Sequence, residues 1–281
     1  MKDFILEISY PSGLDEIVQS RLYLTRSSGS SSSELEGRTT LTAYFESAAE
    51  RDAARALFAG LDVSLNAAER DRIDWLERYQ QSLEPIDIGQ HFVVAPDQSL
   101  IPAGTMRRSI LIPQEQAFGT GSHESTALCM EMLETIDVDR RLGLDVGSGS
   151  GILAIAMLRL GARKVIAFDN DLDTFGALRD NRLRNEIEDE RMPVFIGGVE
   201  SLRSKTFDAI TMNILPEVIL PLLPQVLPHM HVQTALILSG ILLSWRGEVT
   251  ASAADEGLRL TDEKQKGEWW CGAFQRRVSA R

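Results

Sequence analysis

Cysteine is nearly absent from this chain, with only Cys129 and Cys271 among 281 residues. Two thiols make no disulfide framework and fit a reducing compartment. Long apolar runs are missing too. None approaches the ~20 residues of a membrane span, and the apolar stretch 235–243 is broken by Ser239 and Gly240. Basic charge is short: 29 Lys and Arg stand against 41 Asp and Glu, a net charge of -12, which opposes attraction to phosphate backbones or anionic lipid. A basic partner is favoured, and neither nucleic-acid nor membrane binding is expected. Aromatic residues are few, at 6%, yet 43% of the chain is apolar and 25% charged, an ordinary globular balance. The opening residues Met1–Ile5 set an acid beside their one Lys, with no apolar core or small-residue cleavage site behind them. That start predicts a cytoplasmic protein.

The length suits two domains. Residues 1–66 read as a small α+β unit in the order strand, helix, strand, helix, strand. A strand over 4–9 precedes a helix that Ser12 is placed to cap, and Ser27–Ser33 has no apolar anchor, so a mobile loop is expected there. Thr40–Phe45 alternates like a strand, and Ser47 with Glu50 forms a capping box for a helix ending near Gly60. Leu61–Leu65 supplies the last strand. A charged helix over 67–84 then reads as a linker, and residues 85–281 as the larger domain. Residues 1–84 carry 15 acids and 9 bases, a net of -6, either a solvated surface or a docking face for a basic partner. Beyond them strand and helix patterns alternate from Leu142 onward, the order of a doubly wound, mostly parallel sheet.

The chemistry concentrates in Asp145-Val146-Gly147-Ser148-Gly149-Ser150-Gly151, which closes a strand and opens the apolar helix 152–160. Glycines at alternate positions let a ligand approach backbone without a Cβ in the way, and a helix N-terminus follows. Asp169 ends the next strand 18 residues after Gly151, where a carboxylate can accept both ribose hydroxyls. Together these residues describe a nucleoside site. The dinucleotide fingerprint fits poorly, because counting from Gly147 puts Ile152 at the third glycine. Asp145 suits the cationic amine of S-adenosylmethionine better than a pyrophosphate. A nicotinamide oxidoreductase and a non-catalytic nucleoside binder stay open as alternatives.

A second cluster, Ala117-Phe118-Gly119-Thr120-Gly121-Ser122-His123-Glu124-Ser125-Thr126-Ala127, leads into another helix just upstream. With Asp145–Ala156, Met212-Asn213-Ile214-Leu215 and Leu238-Ser239-Gly240-Ile241-Leu242, it resembles the ribosomal protein L11 methyltransferase family, PrmA. The likeness runs from about Asp74 to Ala273. It implies a class I methyltransferase domain with a Rossmann-like sheet, S-adenosylmethionine as cofactor, S-adenosylhomocysteine as product, and the amines of ribosomal protein L11 as acceptors. It also implies that Thr126, Gly147, Asp169 and Asn213 contact the donor, beside Asp145, Gly149 and Gly151 of the glycine turn. Asn213 would further orient the acceptor amine through its carbonyl oxygen. A related lysine methyltransferase with another acceptor is the alternative within that class. Two positions depart from the family pattern, Ser125 for a usual Thr and Pro216 where a small residue is common. His123 is a weaker candidate, His229 and His231 lack partners at metal-ligand spacing, and Trp269 and Trp270 read as sheet-face residues.

Overall fold

A computed structural model describes residues 2–35, 37–71, 84–113, 123–203 and 205–277. The chain divides into two compact units, Met1–Arg78 and Tyr79–Arg281.

In the first unit, strands β1 (Lys2–Pro11), β2 (Gly29–Leu35), β3 (Arg38–Phe45) and β4 (Ser64–Asp71) form one antiparallel sheet in the order β2-β3-β1-β4. Helices α1 (Asp15–Tyr23) and α2 (Ala48–Leu57) complete it. Alternate residues Leu6, Ile8 and Tyr10 of β1 meet Leu41, Ala43 and Phe45 of β3, and Val18, Leu22, Ala54 and Phe58 pack against them. Ser47 caps α2 as expected, its side chain accepting from the Glu50 N–H.

Four expectations change here. The serine-rich stretch is no loop: it pairs with β3 from Gly29 opposite Tyr44 to Leu35 opposite Arg38. An edge strand is held by its backbone ladder, so the exposed side chains of Ser30–Ser33 need no apolar anchor. The last strand runs over Ser64–Asp71, not 61–65, and pairs with β1 from Ser9 opposite Ser64 to Lys2 opposite Asp71. The expected helix therefore does not start at Ala67, because ladder pairing outweighs a charged segment's helix preference; residues 72–83 of that helix lie outside the described residues. Ser12 starts a short 3-10 turn and donates to Glu34 Oε1 at 2.8 Å instead of capping α1.

The second unit opens with a three-stranded sheet of β5 (Ile86–Ile88), β6 (Phe92–Ala95) and β7 (Arg108–Leu111). Helix α3 (Glu124–Leu133) leads to β8 (Leu142–Val146), α4 (Ile152–Arg159), β9 (Lys164–Asp169), α5 (Leu172–Arg184), β10 (Val194–Ile196), β11 (Phe207–Asn213) and α6 (Pro216–Val226). The elements β12 (Met230–Leu242), α7 (Arg246–Asp255), β13 (Leu258–Lys266) and β14 (Trp269–Arg276) finish it. The large sheet has the order β10-β9-β8-β11-β12-β14-β13, parallel from β10 to β12 and antiparallel beyond.

Side-chain alternation sorts the two cores. Val165, Ala167, Ala209 and Ile237 join the core of α3 and α4, while Leu144, Ile210, Met212 and Leu238 join that of α6 and α7. The chain winds outward from β8 to β10, then returns to the other side of β8 as β11. That reversal opens a crevice at the carboxyl ends of β8 and β11. No helix of the described residues is long and apolar enough to cross a membrane.

Candidate active site

A cavity of about 900 Å³ lies at that reversal, within the second unit, a size in the usual 300–1,000 Å³ range for small-molecule sites. Its wall includes Gly147 and Gly149 after β8, Asp169 at the end of β9, Asn213 at the end of β11, and His123 and Trp269.

The glycine turn is held by the neighbouring strand. The Gly147 and Ser148 N–H groups both donate to the Phe168 carbonyl at 3.0 Å, and the Gly149 N–H donates to Asp169 Oδ2 at 2.8 Å. Gly147 has φ 67°, a left-handed conformation, and a Cβ there would stand 2.5 Å from Ile214 Cγ2. Asp169 Oδ1 accepts from the Asp171 N–H at 3.1 Å. Among the described residues each Asp169 oxygen thus has one donor and keeps acceptor capacity for a diol.

Asn213 is 8% exposed, and its Nδ2 donates to Thr126 Oγ1 at 3.2 Å. Its Oδ1 is buried without a partner among the described residues. A buried acceptor left unpaired is costly, so this oxygen marks where a ligand donor belongs. The same turn explains why the N-I-L and L-S-G-I-L motifs occur together. Gly240, at φ 78°, lets Ile214 pass so closely that a Cβ would stand 2.7 Å from the Ile214 carbonyl oxygen.

Three residues expected to touch the donor lie behind this wall. Thr126 is fully buried and meets Asn213 instead of lining the cavity. Asp145 is 1% exposed, and its two oxygens accept from Thr211 Oγ1 at 2.6 Å and from the Ala154 N–H at 3.2 Å. Burial pushes its pKa up to about 7, against the lowering effect of those two hydrogen bonds. Strand alternation is the reason: Asp145 faces α4, opposite Thr211 in register, while the turn that follows bends to the cavity. Gly151, at φ 80°, serves packing, since a Cβ there would stand 2.5 Å from Leu178 Cδ1.

Of the upstream loop, residues 117–122 lie outside the described residues. His123 caps α3, its Nδ1 accepting from the Ser125 N–H at 3.3 Å, and its ring meets Trp269 edge-on with centroids 4.6 Å apart. Trp269 is the aromatic that sequence reasoning assigned to a sheet face. Only its neighbour Trp270 is buried, with Nε1 donating to Glu263 at 2.8 Å. Period-two alternation could have separated the pair, one ring inward and one toward the cavity. The wall segment Gly197–Glu200 carried no motif in the sequence. His229 Nδ1 donates to the Lys205 carbonyl and His231 Nε2 meets Asp208. Pro216, one of the two departures from the family pattern, sits at the first position of α6, where a missing N–H is harmless.

A parallel sheet reversing beside β8, a glycine turn on that strand, a carboxylate on the next and an unpaired Asn oxygen on β11 define a class I S-adenosylmethionine-dependent methyltransferase. Residues 15–277 match the family model described as ribosomal protein L11 methyltransferase (PrmA), and the chain belongs to that family. It is 34% identical over 211 residues to the ribosomal protein L11 methyltransferase of Synechococcus elongatus, covering 73% of this chain and 70% of that protein. A protein of the same name from Pelobacter propionicus is 34% identical over 212 residues, 74% of this chain and 68% of its own. Among solved structures, ribosomal protein L11 methylase from Lactobacillus delbrueckii subsp. bulgaricus is similar with a TM-score of 0.65 and 28% identity. That likeness covers 70% of this chain and 100% of the other. The chain is thus a protein methyltransferase, and the nicotinamide and binder alternatives fall away.

Proposed function

We propose that this chain methylates amines of ribosomal protein L11, lysine side chains and the N-terminal α-amine, in the cytoplasm. In this reading the first unit docks the basic acceptor protein and the second performs the transfer. The names and coverage of the relatives support the acceptor, and the acidic balance of residues 1–84 supports the docking role. S-adenosylmethionine, when bound, supplies an electrophilic methyl on its sulfonium.

The single observation that carries the reading is Asn213, a residue of the cavity wall whose buried Oδ1 has no partner among the described residues. A neutral amine can donate one N–H to that oxygen and keep its lone pair free to attack. Asp169 offers its remaining acceptor sites to the ribose hydroxyls, and Gly147 and Gly149 bring bare backbone to the cavity wall. A lysine amine with an ordinary pKa near ~10.4 must first lose its proton. Desolvation between Ile214, Phe168 and Trp269 disfavours the ammonium form and helps release it to water. No strong base is required.

Incubating the full chain with purified ribosomal protein L11 and a methyl-labelled donor tests this. Labelled methyl-lysine and methylated α-amine in that protein are the expected products. Label on another ribosomal protein, with protein L11 unlabelled, would overturn the acceptor assignment.

A further inference from the structure

Helix α4 starts inside the protein. Its first three residues, Ile152, Leu153 and Ala154, are buried, so water cannot take the N–H groups that a helix start leaves without an intrahelical partner. Ser150 Oγ accepts from the first of them, Ile152, at 3.4 Å. The side chain of the residue before a helix usually serves the second or third. Here that residue is Gly151, at φ 80°, which has no side chain to offer.

The missing cap comes from the strand before the turn. Asp145 Oδ2 accepts from the Ala154 N–H at 3.2 Å, the bond that a capping side chain makes to the third helical residue. A backbone N–H can only donate, so the direction of this bond is fixed. The other carboxyl oxygen lies 2.6 Å from Thr211 Oγ1, beside it in the β8–β11 register, and that contact steadies the carboxyl whichever of the two donates.

Between Asp145 and Ala154 runs the glycine turn. Its Gly147 and Ser148 N–H groups donate to the Phe168 carbonyl and its Gly149 N–H to Asp169, so β9 holds one side of the turn. Asp145 ties its exit back to its entry. Gly147 and Gly149, held between these two attachments, line the cavity, whereas Asp145 is buried outside the wall.

We propose that Asp145 is a positioning residue for the donor: it caps α4 across the glycine turn, so that Gly147 and Gly149 stand where a nucleoside meets them, and it acts through that turn and not by contact. What it supplies is an acceptor atom, which an amide oxygen can replace. The proposal rests on this cavity being the donor site. Failure of that reading shows separately, as unchanged S-adenosylhomocysteine affinity in Asp169→Ala, and would overturn both.

Calorimetry on the full chain with S-adenosylhomocysteine and with methylthioadenosine tests the cap, because the second ligand keeps the nucleoside and lacks the amino-acid end. Asp145→Asn keeps an oxygen for Ala154 and drops the charge; Asp145→Leu keeps the bulk and drops the oxygen. The Asn variant should bind both ligands within about twofold of wild type. The Leu variant should weaken both by a similar factor, about three- to thirtyfold, the range of one lost cap. Leu258→Ala controls for lost stability alone: that side chain is buried on β13 outside the cavity wall, so melting should fall while both affinities hold.

Wild-type affinity for both ligands in a folded Asp145→Leu chain would overturn the proposal. A loss in Asp145→Asn as large as that in Asp145→Leu would overturn it too, as would a loss confined to S-adenosylhomocysteine, which would make the carboxyl a contact to the amino-acid end. If the Leu variant melts below the assay temperature, Asp145→Ala carries the same comparison. Should both be unfolded, Asp145→Asn decides: direct contact requires it to lose S-adenosylhomocysteine selectively, and capping requires both affinities to hold.

Discussion

Replacing Gly240 by alanine tests whether the close passage of two loops builds the site. Gly240 sits at φ 78°, and an added Cβ would stand 2.7 Å from the Ile214 oxygen, 2.9 Å from its nitrogen and 3.1 Å from its carbonyl carbon. All three are backbone atoms, so no side-chain rotation relieves the clash. Holding an alanine in the left-handed region costs ~1–2 kcal/mol, and overpacking adds ~1–3 kcal/mol. The expected loss is therefore about 2–5 kcal/mol. At roughly 2–4 °C per kcal/mol for a unit of this size, melting should fall by about 10 °C. If the loop yields instead, Ile214 shifts and carries Asn213 with it, lowering kcat more than donor affinity. Scanning calorimetry and methyl-transfer kinetics read the two outcomes. Gly176→Ala is the control: that glycine lies inside α5 with no atom within 4 Å of an added Cβ. The same methyl there should stabilise by about 0.5–1 kcal/mol. A Gly240→Ala chain with wild-type melting and wild-type kcat would refute the reasoning.

Asp169→Ala should weaken S-adenosylmethionine binding by about 1.5–3 kcal/mol while the fold survives, as read by calorimetry; unchanged affinity would move the ribose elsewhere. For Asp145, an unfolded carboxyl near ~3.9 and a folded pKa of about 7 mean that the folded chain binds the extra proton between those values. Its contribution to stability is fully present below the lower value and is lost as pH rises through the upper one. Asp145→Asn keeps one amide oxygen to accept from the Ala154 N–H and does not titrate, while the Thr211 hydroxyl can turn to accept from its NH2, so between pH 4 and 7 the wild type should lose up to about 4 kcal/mol relative to it. Urea midpoints across that range check this, and parallel profiles would reject it. A chain beginning at Tyr79, where the second unit starts, should bind the donor but lose most activity on ribosomal protein L11. The salt sensitivity of that activity should flatten too, because the Debye length falls from about 10 Å at 0.1 M to about 3 Å at 1 M; full activity at all salt concentrations would remove the docking role.

Local order was readable wherever local rules decide it. The alternation of Thr40–Phe45, the Ser47 cap and the strand, turn and helix around Gly147 depend on neighbours within a few residues, and the structure carries each. The serine-rich strand was not readable, because its cause is a ladder with β3 and not its own side chains. Residues 67–71 went the same way, drawn into pairing with β1 more than 60 residues earlier.

The candidate site divides along the same line. Motif spacing was enough to bring out Gly147, Gly149 and Asp169, and the family resemblance added Asn213; all four reach the cavity wall, since residues at the ends of parallel strands share one crevice whatever their separation in the chain. It could not tell wall from support. Thr126, Asp145 and Gly151 carry the same motif weight, yet the pleat and the packing of α3 and α4 turn them inward, to Asn213, Thr211 and Leu178. Trp269 turns the other way, toward the cavity beside His123. The sequence by itself determined which residues could meet a nucleoside, because that follows from residue type and strand order. Which of them line the cavity and which stand behind it was decided only by tertiary structure, because a side chain's direction depends on contacts between segments that lie far apart in the chain.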